Sequence, residues 1–364
     1  MSGRRGSGKA GTGLLAVLTI VPLVAAAAVL GPERAWAIAR AAVGTALCDP
    51  MAEDTPRHRI PEVHLAPSPD DHRQGTWHDG ASAVHFNQGD AFISLERTTP
   101  IVPVRHLVIA HRGMADMVQA HLALWAAGRM GVLTTWAAPV WHATPGGPGA
   151  VKWLHEAPSP DYLADRGFAG ASAVFVRHAN GRWAVLSGTD GTPALDTLAA
   201  ILADSARSLM DRRDALARTI DVEAALRCAA VMEALPPAPV RPLWTRIPPQ
   251  DRWAPVLDVS YGFRDGGDDP ILAALEAEPE WQARKLDLMR EAHHLLVDRG
   301  ALVGELDRVV AAMRPSLRAD RDKLGRLAEN DTNLMRIPLA RVEDELARLR
   351  DRLTAQGADD HEAR

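Results

Sequence analysis

From Ala10 to Pro32 the chain runs for 23 residues without a charge, and no other stretch restricts its fold as strongly. A helix crossing the roughly 30 Å hydrocarbon core of a bilayer needs about 20 predominantly apolar residues. Arg4, Arg5 and Lys9 lie on the N-terminal side of the run, which predicts a cytoplasmic N-terminus and a body outside the cytoplasm. A cleaved export signal is the alternative, because Ala35-Trp36-Ala37 has the small-x-small form of a cleavage site. Both readings place the bulk of the chain in the periplasm or its equivalent; the first makes it a single-pass protein of the inner membrane. The basic stretch before the run, "GRRGSGKAGTG", imitates a phosphate-binding loop from Gly3 to Lys9. However, Ala10 stands where a magnesium-binding Ser or Thr belongs, and too few residues precede Gly3 to form the strand that such a loop needs.

The net charge of −5 and the pI near 6.3 offer no basic field for nucleic acid. The two cysteines, Cys48 and Cys228, would most simply pair in an exported protein. Cys48 follows the apolar run closely and Cys228 lies on an expected helix, so free or intermolecular thiols remain open.

Composition divides the chain into a signal anchor (1–48), a tether (49–80), an α/β domain (81–234), a Pro-rich linker (235–269) and a helical arm (270–364). The tether carries His58, His64, His72 and His78 at spacings that match no metal-ligand pattern, which favours a solvated strap. In the linker, Trp244 and Trp253 are expected to dock on a domain surface. Between the breaks, "SAVHF", "AFISL" and "VRHLVIAH" read as strands and "MADMVQAHLALWAAGRM" as a helix. "GVLTTWAAP" is the next strand, then come two β runs around Asn180-Gly181 and a helix opened by Thr192-Pro193. Strand, helix, strand, hairpin, helix predicts a mixed sheet with flanking helices, the thioredoxin-like arrangement.

Two long stretches carry a resemblance. "VRHLVIAHRGMADMVQAHLALWAAGRMGVLTTWAAPVW" resembles the first half of bacterial periplasmic disulfide isomerases of the DsbC/DsbG type, and "AVKWLHEAPSPDYLADRGFAGASAVFVRHANGRWAVLSG" is similar to their later half. Together they cover roughly Ser82 to Ala206. The resemblance implies a thioredoxin-like fold with an active-site loop at His111, Arg112, Gly113 and Met114, faced by Ser172. The family's C-x-x-C and cis-proline are missing at those places. Without a thiolate there is no nucleophile for exchange, so the expected domain is redox-silent and non-enzymatic, without a cofactor. Two alternatives stay open: a copper carrier using His111 and Met114, with His106 and His121 nearby in sequence, and a thiol–disulfide interchange protein that borrows a partner's cysteine. "AHRG" lacks the acidic elements of a metal phosphodiesterase, and "REAHHLL" lacks the order of a zinc protease helix.

The arm shows Val342, Leu346, Leu349 and Leu353 at 3–4 spacing, flanked by Glu/Asp–Arg pairs. This stripe either packs on its own chain or forms a short coiled coil that self-associates or grips a partner. The combined expectation is a membrane-tethered binding or assembly component of an envelope complex, in the manner of conjugation or secretion accessory proteins. Its partners would be other proteins and the inner membrane, and it would touch no nucleic acid.

Overall fold

A computed structural model describes residues 59–362, apart from 81, 90–91, 111, 144–148, 169, 180–181, 189–191, 205–207, 260–268, 321–322 and 326–334. The predicted anchor lies outside these residues; among the described ones no helix is long and apolar enough to cross a membrane.

The first half winds into a barrel. Strands β1 (Glu62–Pro67), β2 (Gln74–Asp79), β3 (Ser82–Gln88), β4 (Ile93–Leu95) and β5 (His106–Ala110) are followed by helix α1 (Met114–Arg129). Then come β6 (Leu133–Thr134), β7 (Ala137–Ala143) and β8 (Ala150–Glu156). The order β1-β2-β3-β4-β5-β8-β7 closes through a parallel β7–β1 pair, the remaining neighbours being antiparallel. Alternation turns Val63, Trp77, Val84, Phe86, Ile93, Leu95, Leu107, Val140 and Leu154 into the lumen, where all are buried. At Gly75 a Cβ would sit 2.3 Å from the Ala66 carbonyl oxygen of the paired strand, so only glycine allows β1 and β2 to close there.

The second half holds helix α2 (Tyr162–Asp165), β9 (Phe175–Ala179), β10 (Arg182–Ser187), α3 (Thr192–Ala203), α4 (Leu209–Thr219) and α5 (Val222–Ala234). The hairpin β11 (Val240–Ile247) and β12 (Arg252–Val259) follows, then α6 (Pro270–Glu276), α7 (Pro279–His293), a π-turn (His294–Asp298) and α8 (Ala301–Ala319). A short pair, β13 (Leu324–Gly325) and β14 (Met335–Arg336), precedes α9 (Leu339–Glu362). Its open sheet has the order β10-β9-β11-β12-β6.

Helix α1 is buried along most of its length, from Met114 to Ala127. It contacts α8 and α9 on one side and β12 on another, while Trp153 and Val151 of the barrel wall join its apolar cluster. A helix enclosed in this way needs no polar face, which accounts for its evenly apolar sequence.

This architecture corrects the thioredoxin-like expectation. That fold requires the strand before α1 and the strand after it to lie parallel in one sheet. Here β5 pairs antiparallel with β4 and β8, and β6 pairs parallel with β12. The run "GVLTTWAAP" breaks in its middle: the Thr135 hydroxyl donates to Asp258 Oδ1 at 2.8 Å, and the Trp136 amide donates to Glu156 Oε2 at 3.0 Å. Those two bonds carry the chain out of the open sheet and into the barrel. The expected tether supplies β1 and β2, and the expected linker supplies β11 and β12, with Trp244 and Trp253 as fully buried strand residues.

Candidate functional site

The residues assigned to the family's active-site loop do not converge. His111 lies outside the described residues. Gly113 caps α1 with extended backbone, its carbonyl accepting the Met117 amide at 3.1 Å. Met114 is 3% exposed and its Sδ accepts the Trp153 indole N–H at 3.4 Å, so the thioether fills the helix–barrel contact. Arg112 is half-buried within electrostatic reach of His155. Ser172 is exposed ahead of β9. Its neighbours Ala173 and Phe175 pack with Tyr162, Leu163, Leu243 and Val256, a cluster separate from the one that holds Met114. Among the described residues no group of three or more His, Cys, Asp or Glu side chains is placed to hold a metal ion. Cys228 is fully buried, and burial pushes its thiol up to about 12, the opposite of what a reactive thiolate needs. Cys48 lies outside the described residues.

The stripe of the arm packs inward. Val342, Leu346, Leu349 and Leu353 are each under 5% exposed and join the cluster of α1 and α8, with Arg350 bonded to Asp307 at 3.0 Å beside them. Of the two readings of that stripe, packing on its own chain is the one these contacts support.

Two features the sequence reading missed mark the boundary between the sheets and its far edge. At the boundary, Arg166 forks onto both oxygens of the buried Glu156 (2.8 and 2.5 Å). It also donates to the Thr134 and Tyr162 carbonyls and stacks its guanidinium 3.6 Å from the Tyr162 ring centre. The Tyr162 hydroxyl donates to the same Thr134 carbonyl at 2.9 Å. Beside this clamp Asp258 is 1% exposed, and burial pushes its carboxyl up to about 7. Burial likewise pushes the His155 imidazole down to about 4. Both Glu156 oxygens and both terminal nitrogens of Arg166 are matched, as a buried ion pair requires, so this cluster joins the two sheets.

The far edge differs. Strand β10 is bonded to β9 on one side, and among the described residues no strand pairs with it on the other. Its sequence, "RWAVLS", holds neither Lys nor Pro, the usual guards of an edge. Val185 and Leu186 are 41% and 43% exposed. Helix α3 backs the strand, α4 packs on α3, and α4 carries the still more exposed Met210. The register shifts between Val185 and Ser187. Gly188 then ends the strand at φ 87°, a conformation only glycine holds easily. An apolar trough of about 520 Å³ lies elsewhere, walled by Met232, Leu235, Pro236, Val240 and Leu257. Its one charged lining residue, Glu233, is bonded to Lys285 at 2.8 Å, so the trough lacks the convergent polar groups that confer specificity.

No family model matches the chain, and neither does any curated protein. Function therefore rests on the geometry.

Proposed function

We propose that the chain is an extracytoplasmic binding or assembly component, tethered to the inner membrane by its N-terminal run, that captures an extended segment of a partner protein along β10. The observation that carries this reading is an edge strand that, among the described residues, pairs on one side only and carries two adjacent exposed aliphatic side chains, Val185 and Leu186. Strand addition takes its affinity from main-chain hydrogen bonds and its selectivity from alternate side chains. On β10, before its register shift, those alternate sets are Trp183 and Val185 on one face and Arg182 and Ala184 on the other. The inward packing of the arm's stripe adds to the reading, since it removes that stripe as an exposed apolar surface and leaves Val185 and Leu186 among the few large exposed aliphatic side chains of the described residues. The extracytoplasmic setting is supported by the charge-free run and its basic flank.

The test places a photo-crosslinking amino acid at Ala184, which is exposed, in the full-length protein in its own host. A discrete adduct that disappears in V185K/L186K, with the melting temperature kept, supports strand capture. A double lysine variant that crosslinks and functions like the parent would overturn it.

A further inference from the structure

We infer that Ser94, His106 and Asp161 form a serine-nucleophile site on the outer wall of the barrel, taking the acyl group of small activated esters. This goes beyond strand capture and shares no residue with it.

Ser94 on β4 and His106 on β5 are direct cross-strand partners. Ile93 and Leu95 turn into the barrel lumen, so Ser94 stands on the outer face, and the His106 side chain beside it is 18% exposed. The imidazole is held at both nitrogens: Nδ1 lies 3.1 Å from Ser94 Oγ and Nε2 lies 3.1 Å from Asp161 Oδ2. An ionised carboxylate can only accept, so Nε2 carries the proton and Nδ1 presents its lone pair to the serine hydroxyl. A nucleophile bonded to a base that a third group orients is the logic of the serine triad. A cross-strand Ser–His contact alone would need no carboxylate. Here one arrives from a loop 55 residues further along the chain, stitched to β5 by the Ala157 amide donating to the His106 carbonyl at 2.8 Å. Arg105 Nη2 lies 2.9 Å from the same Asp161 oxygen and helps to fix the carboxylate in place. Phe92 sits edge-on to the imidazole at 5.4 Å between ring centres and gives a short acyl chain an apolar wall.

The chemistry balances with water as the only co-reactant. His106 Nδ1 takes the hydroxyl proton as Ser94 Oγ bonds to the ester carbonyl carbon. The adduct collapses, the C–O bond to the leaving group breaks, and the imidazolium returns the proton to the departing alkoxide. Water, deprotonated by the same nitrogen, then cleaves the acyl-serine to free the carboxylic acid and Ser94.

The experiment exposes the full-length protein to a fluorophosphonate, which forms a P–O bond to an activated serine with loss of fluoride, and locates the adduct by peptide mass spectrometry. The expected result is one adduct, at Ser94, absent in S94A, with H106Q slowing the labelling by about 10²-fold. Asp161 is a positioning residue. D161N should slow labelling by between about tenfold and 10⁴-fold, the upper figure being the loss when a triad's orienting carboxylate becomes its amide. D161E, which keeps the carboxylate, should restore part of the rate, a rescue that a merely structural role would not give. Circular dichroism of S94A, a change of one exposed-face hydroxyl, separates loss of chemistry from loss of fold. No adduct on folded protein, an adduct at another residue, or one that persists in S94A overturns the proposal.

Discussion

The two sheets of this protein solve the edge problem in opposite ways. The barrel bonds its first strand to its seventh-ordered neighbour and leaves no edge, so each strand is guarded by geometry and its sequence is free to be irregular. Strand β1 buries only Val63 fully and β2 only Trp77 and Asp79, yet both are fixed in register by neighbours on either side. The open sheet is buried through β11 and β12 and ends on β10, whose pattern is almost wholly exposed. Closure stabilises; an open edge remains available for pairing. Under the proposed function, recognition falls to the open half. The helices α1, α8 and α9 form a common apolar block against both.

Breaking that common block should have the largest effect. Truncation at Pro338 removes Val342, Leu346, Leu349 and Leu353, each buried. At about 1.5–3 kcal/mol per buried aliphatic side chain, the loss takes up most of an ordinary stability of 5–15 kcal/mol. The truncated chain should lose its near-ultraviolet circular dichroism, and Leu349→Ala alone should cost about 2–5 kcal/mol. A truncated protein that melts like the parent would show that the arm is an appendage, and would reopen its stripe as a partner surface.

Next in size is the clamp between the sheets. Arg166→Ala leaves Glu156, 2% exposed, as an uncompensated buried charge, which costs about 3–5 kcal/mol. The comparison is sharpened by which half responds. If the barrel and the open sheet unfold together, denaturant curves followed by the barrel's Trp77 and by the open sheet's Trp244 should shift equally. Should they separate, the two halves are independent units and the clamp is their coupling. The double variant E156Q/R166Q removes both charges and should recover part of the loss.

What was legible in the sequence follows the same division. Strands with strict alternation or a strong turn were readable: β3 from "SAVHF", β4 and β5 from short apolar runs, and the β9–β10 hairpin from its Asn-Gly. Helix α1 was readable from its periodicity, α3 from Thr192-Pro193 and the arm as helical in outline, although the arm also holds the short strands β13 and β14. Strands whose conformation depends on partners far along the chain were not. Pro242 and Pro255 argued against β11 and β12, since proline is disfavoured inside a sheet. Strand β1 carries too few lumen-facing residues to announce itself. The break at Thr135–Trp136 depends on Asp258 and Glu156, which local reading cannot supply, and joining across that break is what made a parallel β–α–β unit look required. The candidate sites were less legible still. Ser94, His106 and Asp161 come from three elements and no short spacing links them. The exposure of β10 depends on the order of the sheet.

The smallest expected effect concerns the two titrating groups at the boundary, and it tests whether that boundary is as dry as its packing implies. For Asp258, the carboxyl holds its proton to about 7 in the folded chain against an ordinary 3.8. Its contribution to stability is therefore full below about 3.8 and is lost as pH rises towards 7. For His155, the imidazole stays neutral down to about 4 against an ordinary 6.5, so its contribution is present above 6.5 and is lost as pH falls through that window. The two slopes oppose each other over most of the range, each corresponding to roughly 3–4 kcal/mol, and the native protein should show a nearly flat stability between about pH 4 and 6.5. Asp258→Asn removes one slope. The amide oxygen still accepts from the Thr135 hydroxyl and carries no charge to bury, so the variant should be about 1–3 kcal/mol more stable than the parent at pH 8, part of the gain going to the imperfect match of its NH₂ group. It should also acquire a stability that falls steeply on acidification below 6.5, the isolated signature of His155. Urea denaturation at pH 4.5, 6 and 8 gives the three points needed. A variant whose curve parallels that of the parent across all three would mean that Asp258 is already ionised and hydrated at neutral pH, and that water reaches the seam between barrel and sheet.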